Sequence, residues 1–215
     1  GMLIAIFSAV IMPVENSNSN LIWIISPLSL SAIIGYLIAK KIKMTSMPQM
    51  VSIFNGLGGL SAVLLSFAEI NKWISFPDEY QIIVVIVLIS SLFIGSVAFT
   101  GSLLAFAKLD GYRWSEKLTL PFQHIVNIVF LTMIIGFSYF FISDPEIYYL
   151  YLIIALSFIY GVFFVAPIGG ADMPVVISLL NSFTGITAAL TGIIFGNIVM
   201  LLGGILVGAA GTILT

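Results

Sequence analysis

The chain is built from long apolar runs that contain no Asp, Glu, Lys or Arg. Eight of them lie near residues 1–13, 21–39, 47–68, 81–106, 119–142, 147–167, 173–194 and 197–215. A helix needs roughly 20 apolar residues to cross the hydrocarbon core of a bilayer. Most of these runs meet that length; the first is too short to span fully. Only 7% of residues are charged, against about 25% in soluble domains, so a water-facing surface cannot be assembled from this sequence. The period-2 alternation of a transmembrane barrel is absent. The expected fold is an all-α polytopic membrane protein with about eight transmembrane helices, forming one helical membrane domain over residues 1–215.

Residues 47–64, MPQMVSIFNGLGGLSAVL, and 173–190, MPVVISLLNSFTGITAAL, are two copies of one segment. Met47/Met173, Pro48/Pro174, Ser52/Ser178, Asn55/Asn181, Gly59/Gly185, Ala62/Ala188 and Leu64/Leu190 are identical pairs. Four crossings separate the copies, so they run in the same direction, as a parallel repeat. Each opens on Met-Pro, and Pro suits the first helical turn. Asp172, and Thr45 or Ser46, are placed to cap these helices.

The charged loops predict orientation. Lys40, Lys41 and Lys43 follow the second run, and Lys108, Arg113 and Lys117 follow the fourth. Alternating spans put both groups on one face, with only Lys72 on the other. By the positive-inside rule the Lys/Arg face is cytoplasmic. Both ends of the chain and Asp172 are then expected in the cytoplasm, with the protein in the cell's inner (cytoplasmic) membrane.

Each repeat carries an amide in an apolar helix, which hydrocarbon tolerates only when it is paired or lines a cavity. Ser52, Asn55, Gly59, Ala62 and Ser66 fall on one helical stripe, and Ser178, Asn181, Gly185, Ala188 and Gly192 repeat the spacing. Gly95, Ala98, Ser102 and Ala105 make a similar stripe on the fourth run, and Gly204, Gly208 and Gly211 on the eighth. Such stripes serve either as packing surfaces or as a polar wall holding water. The aromatic-rich fifth and sixth runs are expected to face lipid. His124 reads most simply as an interfacial residue at a helix start, with Asn127 one turn on as a possible partner. Asp172 reads as an N-cap, with contact to a cytoplasmic partner as a second role, since Gly169 and Gly170 leave its loop exposed.

The sequence excludes much else. It has no Cys, hence no disulfide, thiolate metal site or catalytic thiol. One His and scattered acids make a metal cluster improbable. No dinucleotide fingerprint follows a strand, so the chain itself is expected to bind no cofactor and to have no hydride-transfer activity alone. No nucleic-acid partner is expected. Gly1 and Thr215 stand against apolar runs without flanking charge, so the chain is expected to be a piece of a longer protein.

Several stretches carry a resemblance. They are Lys40-Lys41-Ile42-Lys43-Met44-Thr45 before Met47-Pro48, then Phe99-Thr100-Gly101-Ser102 with Ala105-Phe106 and Lys108-Leu109, then Leu120-Pro121 with His124 and Asn127. The most specific is Ile168-Gly169-Gly170-Ala171-Asp172-Met173-Pro174-Val175-Val176 running into Leu180-Asn181-Ser182, followed by Leu206-Val207-Gly208 and Gly211. In this order, over nearly the whole chain, they resemble the membrane domain of the beta subunit of proton-translocating nicotinamide nucleotide transhydrogenase. The resemblance implies coupling of hydride transfer between NAD(H) and NADP(H) to proton movement across the membrane. It implies an alpha-type partner subunit carrying the NAD(H) domain and further helices, an NADP(H) domain continuing after this one, and a dimer of such units. It implies a proton path through Ser102 and Asn181. At the third family position, a His in the third run, this chain has Asn55. An amide does not exchange protons near neutral pH, so the titrating group lies on a partner helix, or the path works through water alone, or coupling is altered in this chain; the intact remainder of the site favours a His on a partner helix, with Asn55 and Asn181 organising water. The competing readings are a stand-alone channel or transporter for a small solute, and a structural anchor docking soluble domains through Asp172 and the Lys108–Lys117 loop.

Overall fold

The computed structural model describes residues 20–76 and 81–215, with side chains from residue 25 on. The first apolar run lies outside the described residues. Among those described, all regular structure is helical. The chain divides into a unit of residues 1–47 and a unit of residues 48–215.

In the first unit, helix α1 (Asn20–Lys41) ends on Lys40 and Lys41, cations that complement the negative end of the helix dipole. Lys40 also lies 4.7 Å from the centre of the Tyr36 ring. A single 3-10 turn, Met44–Ser46, follows.

The second unit contains α2 (Met47–Ser75), α3 (Ile82–Leu109), α4 (Gln123–Ser143), α5 (Ile147–Val165), α6 (Met173–Ile194) and α7 (Ile198–Ile213), with a one-turn helix at Arg113–Glu116. The helices α2 to α6 are long and apolar enough to cross a membrane. Helix α7 is a shorter apolar helix of 16 residues.

Helix α3 is the hub, because its small residues admit neighbours on several sides. Gly59 of α2 lies against Gly95, Ala98 and Phe99; Gly161 of α5 lies against Val97 and Thr100; Gly101 lies against Val165 of α5 and Leu180 of α6. The contacts also fix direction. Ser52 bonds Ser102 and Gly59 meets Gly95, so α2 and α3 are antiparallel. Gly170 approaches Lys108 while Leu180 meets Gly101, so α6 is antiparallel to α3 as well. The two repeat helices therefore run the same way, as the sequence predicts.

The predicted stripes on α2, α3 and α7 are buried: Ser52, Asn55, Gly59, Ala62 and Ser66; Gly95, Ala98, Ser102 and Ala105; Gly204, Gly208 and Gly211. Two apolar cores flank this small-residue zone. One joins α2, α3, α4 and α5 through Ile70, Trp73, Leu88, Phe141 and Ile153. The other joins the far ends of α3 and α5 to the start of α6 through Leu104, Val165, Met173 and Leu180. Helix α4 buries only Gln123, Ile134 and Phe141, which fits an outward position. Helix α5 is less peripheral than its aromatic content suggests, since Leu150, Ile153, Ser157, Gly161 and Val165 form a buried stripe.

The capping expectation is corrected. Asp172 occupies the N-cap position of α6, but its side chain makes no capping hydrogen bond. A 3-10 turn, Gly170–Asp172, leads into the helix instead, matching the turn Met44–Ser46 before α2. Backbone bonds within such a turn use donors that a cap would otherwise satisfy.

Candidate functional site

The buried polar groups of the second unit converge on Asn55. Its Nδ2 donates to Ser102 Oγ at 2.9 Å, and its Oδ1 accepts from Thr184 Oγ1 at 2.9 Å. One turn away, Ser52 Oγ donates to the Ser102 carbonyl at 2.7 Å. Ser52 and Ser102 are fully buried and Asn55 nearly so. One amide thus ties α2 to α3 through one atom and to α6 through the other. The glycines around Asn55 make this possible. A Cβ on Gly58 would stand 3.0 Å from the Thr184 methyl, and one on Gly59 would stand 2.7 Å from the Gly95 carbonyl oxygen. Replacing Gly59 would push α2 off the α3 backbone, and replacing Gly58 would crowd the Thr184 side chain that Asn55 has to reach.

Beyond the node the polar groups continue along α6. Thr187 Oγ1 donates to the Thr184 carbonyl at 2.8 Å, and Thr191 Oγ1 donates to the Thr187 carbonyl at 2.8 Å. Toward the Lys108 end, Gln49 Nε2 lies 3.5 Å from the Leu109 carbonyl, and the buried Gln49 Oε1 has no partner. The hydroxyls of Ser102 and Thr184 are joined only through the Asn55 amide, which can hold them in place but cannot take up and release a proton near neutral pH.

Asn181 is not part of this cluster. It lies exposed on α6, and no hydrogen bond joins it to Asn55. The register of the repeat explains the difference. Ser52 bonds Ser102 on α3, and its equivalent Ser178 bonds Gly211 on α7. Gly59 meets Gly95, and its equivalent Gly185 meets Gly204. Gly211 therefore stands where Ser102 stands in the first copy and offers Asn181 no hydroxyl. The inward polar position on α6 is Ser182, which bonds the Gly208 carbonyl and Thr212 Oγ1.

The predicted coupling residues lie at the Lys108 end of the helices. Asp172 and His124 are both exposed. His124 and Asn127 are not hydrogen-bonded to each other, and Asn127 Oδ1 is without a partner. The buried residue of that motif is Gln123, which the sequence pattern does not single out. Its Oε1 accepts from Leu120 N at 3.0 Å and its Nε2 donates to the Phe163 carbonyl at 2.8 Å, fastening the start of α4 to α5. Thr184 is likewise absent from the predicted stripes. It aligns with Gly58, so it marks a departure from the repeat, and that mismatch is the signal that points to it. Among the described residues no group of three or more His, Cys, Asp or Glu side chains is placed to hold a metal ion.

A family model described as NAD(P) transhydrogenase beta subunit matches residues 1–215. The chain belongs to that family. Two relatives, each an NAD(P) transhydrogenase subunit beta of Rhodospirillum rubrum and one of them from strain ATCC 11170, are 34% identical to it over 223 residues. The match covers all of this chain and 47% of each relative, so the chain spans about half the length of the beta subunits it matches. The family reached from the motifs is the family found. The buried helical bundle around Asn55 thus belongs to a chain of the NAD(P) transhydrogenase beta subunit family, integral to the membrane.

Proposed function

We propose that this chain is the proton-conducting membrane domain of a transhydrogenase, coupling hydride transfer between NAD(H) and NADP(H) in partner soluble domains to proton movement across the membrane. The observation that carries the reading is the Asn55, Ser102 and Thr184 cluster, a fully paired polar site inside a small-residue bundle of this family. Buried polar groups in membrane helices mark substrate or ion pathways. In this reading Asn55 and Ser102 hold a water chain between α2, α3 and α6. Asn181, on the outward face of α6, meets a helix of an alpha-type subunit that supplies the titrating group. Asp172 and His124 lie on the face that receives the nucleotide-binding domains. The cofactors bind those domains, and the assembly is a dimer of such units. The Lys/Arg end faces the cytoplasm, with the chain in the inner membrane and both its ends on the cytoplasmic side.

The test is to reconstitute the native complex in vesicles, supply NADPH and NAD+, and follow internal pH together with hydride transfer. Nucleotide-dependent acidification is expected, and Asn181→Ala should lower it while the complex stays folded. Acidification undiminished in Asn181→Ala would remove that residue from the path. Solute flux through this chain without any nucleotide-binding partner would favour the channel reading instead.

A further inference from the structure

Lys108 closes α3 with an unusual set of bonds. Its Nζ donates to the carbonyls of Ala166 at 2.5 Å, Ile168 at 2.6 Å and Val165 at 3.3 Å. An ammonium has three donors and no acceptor, so the whole donor set is spent on main chain. The carbonyls belong to the last residue of α5 and the turn after it, where a helix leaves acceptors unpaired and carries partial negative charge. The next residues, Gly169–Asp172, are exposed and lead directly into α6. Nearby, Leu104 and Ala105 of α3 pack with Val165, Ala166 and Met173 in one apolar core.

The same two turns of α3 hold the other end of the linkage. Ser102, six residues before Lys108, accepts from Asn55 through its hydroxyl and from Ser52 through its carbonyl. A rigid helix therefore joins a three-point grip on the α5–α6 connection to the polar cluster. Packed interfaces of this kind shift between discrete arrangements rather than deform smoothly. A displacement of residues 166–172 that carries Lys108 with it changes the Asn55 to Ser102 separation, and a hydrogen bond of 2.9 Å weakens steeply once stretched.

We infer that Lys108 is a positioning residue: it transmits movement of the exposed Gly169–Asp172 segment to the Ser102 and Asn55 contact, and so links events on that face to proton passage. The inference rests on the transhydrogenase reading above. The test uses the native complex in vesicles with NADPH and NAD+, recording acidification per hydride transferred. Lys108→Met keeps the stem and removes the donors. Acidification per hydride should fall roughly tenfold, the size of an ordinary coupling free energy, while hydride transfer continues. Lys108→Arg, which keeps the cation but presents a planar fork, should restore part of the loss. Wild-type stoichiometry in Lys108→Met overturns the proposal. Should that variant not assemble, amide hydrogen exchange on the unmodified complex decides. Adding NADPH should change protection in 166–172 and 100–109 together, and a change confined to 166–172 overturns it. Absence of hydride transfer in the wild-type complex would instead bring down the transhydrogenase reading, and this proposal with it.

Discussion

At the scale of single residues, Asn55 is an amide with both ends in use, so its replacement separates structure from conduction. Asn55→Ala takes the donor from the Ser102 hydroxyl and one acceptor from Thr184, whose Oγ1 keeps its bond to the Leu180 carbonyl. Side-chain hydrogen bonds between membrane helices average about 0.6 kcal/mol with a maximum near 1.7, so the loss of stability should be modest, and thermal unfolding of the purified complex measures it. Asn55→His places a group with an ordinary pKa of about 6.5 in the same cluster. Proton movement by the Asn55→His complex should then depend on pH near that value, with a profile absent from the wild type. Identical pH profiles for the two would exclude Asn55 from the path. The amide is visible in the sequence as a polar residue on a small-residue stripe. Its partner Thr184 is not, because the repeat sets a glycine opposite it and periodicity alone ranks Thr184 with the packing residues. Asn181 shows the converse: sequence identity to Asn55 suggests an equivalent place, but Gly211 stands in the neighbouring helix where the first copy meets Ser102.

At the scale of elements, the glycines set how closely the helices approach. A Cβ on Gly59 would meet the Gly95 carbonyl at 2.7 Å and the Phe99 nitrogen at 2.8 Å. Both are backbone atoms of α3, so neither yields by a rotamer change, and overpacking of this kind costs about 1–3 kcal/mol. Gly136 on α4 has no neighbouring atom within 4 Å of the same position. Gly59→Ala should lower the unfolding temperature and Gly136→Ala should not, a contrast that tests α2 to α3 packing in one thermal scan. Equal losses would mean that α4 is as tightly packed as α2. Small-residue periodicity alone makes these contacts legible, since each stripe on α2, α3 and α7 is buried. The role of α5 is hidden in the sequence because its Leu, Ile, Ser and Gly stripe sits among aromatics that suggest a lipid face. Gln123 is hidden because a buried amide at a helix start reads, in sequence, like any polar boundary residue.

At the scale of the whole molecule, the helix directions in the second unit place Lys108, Arg113, Lys117 and Asp172 at one end and Glu69, Asp144 and Glu146 at the other. The first set lies at the end of α3 and the start of α6, and the second at the end of α2 and between α4 and α5. This is the arrangement that alternating spans predict, and it needs only charge positions and run lengths. What the runs do not reveal is where each helix stops: the run 197–215 holds a helix of 16 residues, Ile198–Ile213, since apolar length alone does not locate a helix terminus. Sidedness is directly testable, because the chain contains no Cys and a single introduced thiol is a unique label. Lys117 and Glu146 are both exposed and lie on opposite ends. In inverted membrane vesicles, whose cytoplasmic face is outward, an impermeant maleimide should label Lys117→Cys without detergent and Glu146→Cys only after the membrane is opened. The positive-inside rule gives that order, because basic loops resist translocation. The reverse order would place Lys108, Asp172 and His124 away from the cytoplasmic nucleotides. It would end their proposed part in coupling while leaving the Asn55 cluster where it is.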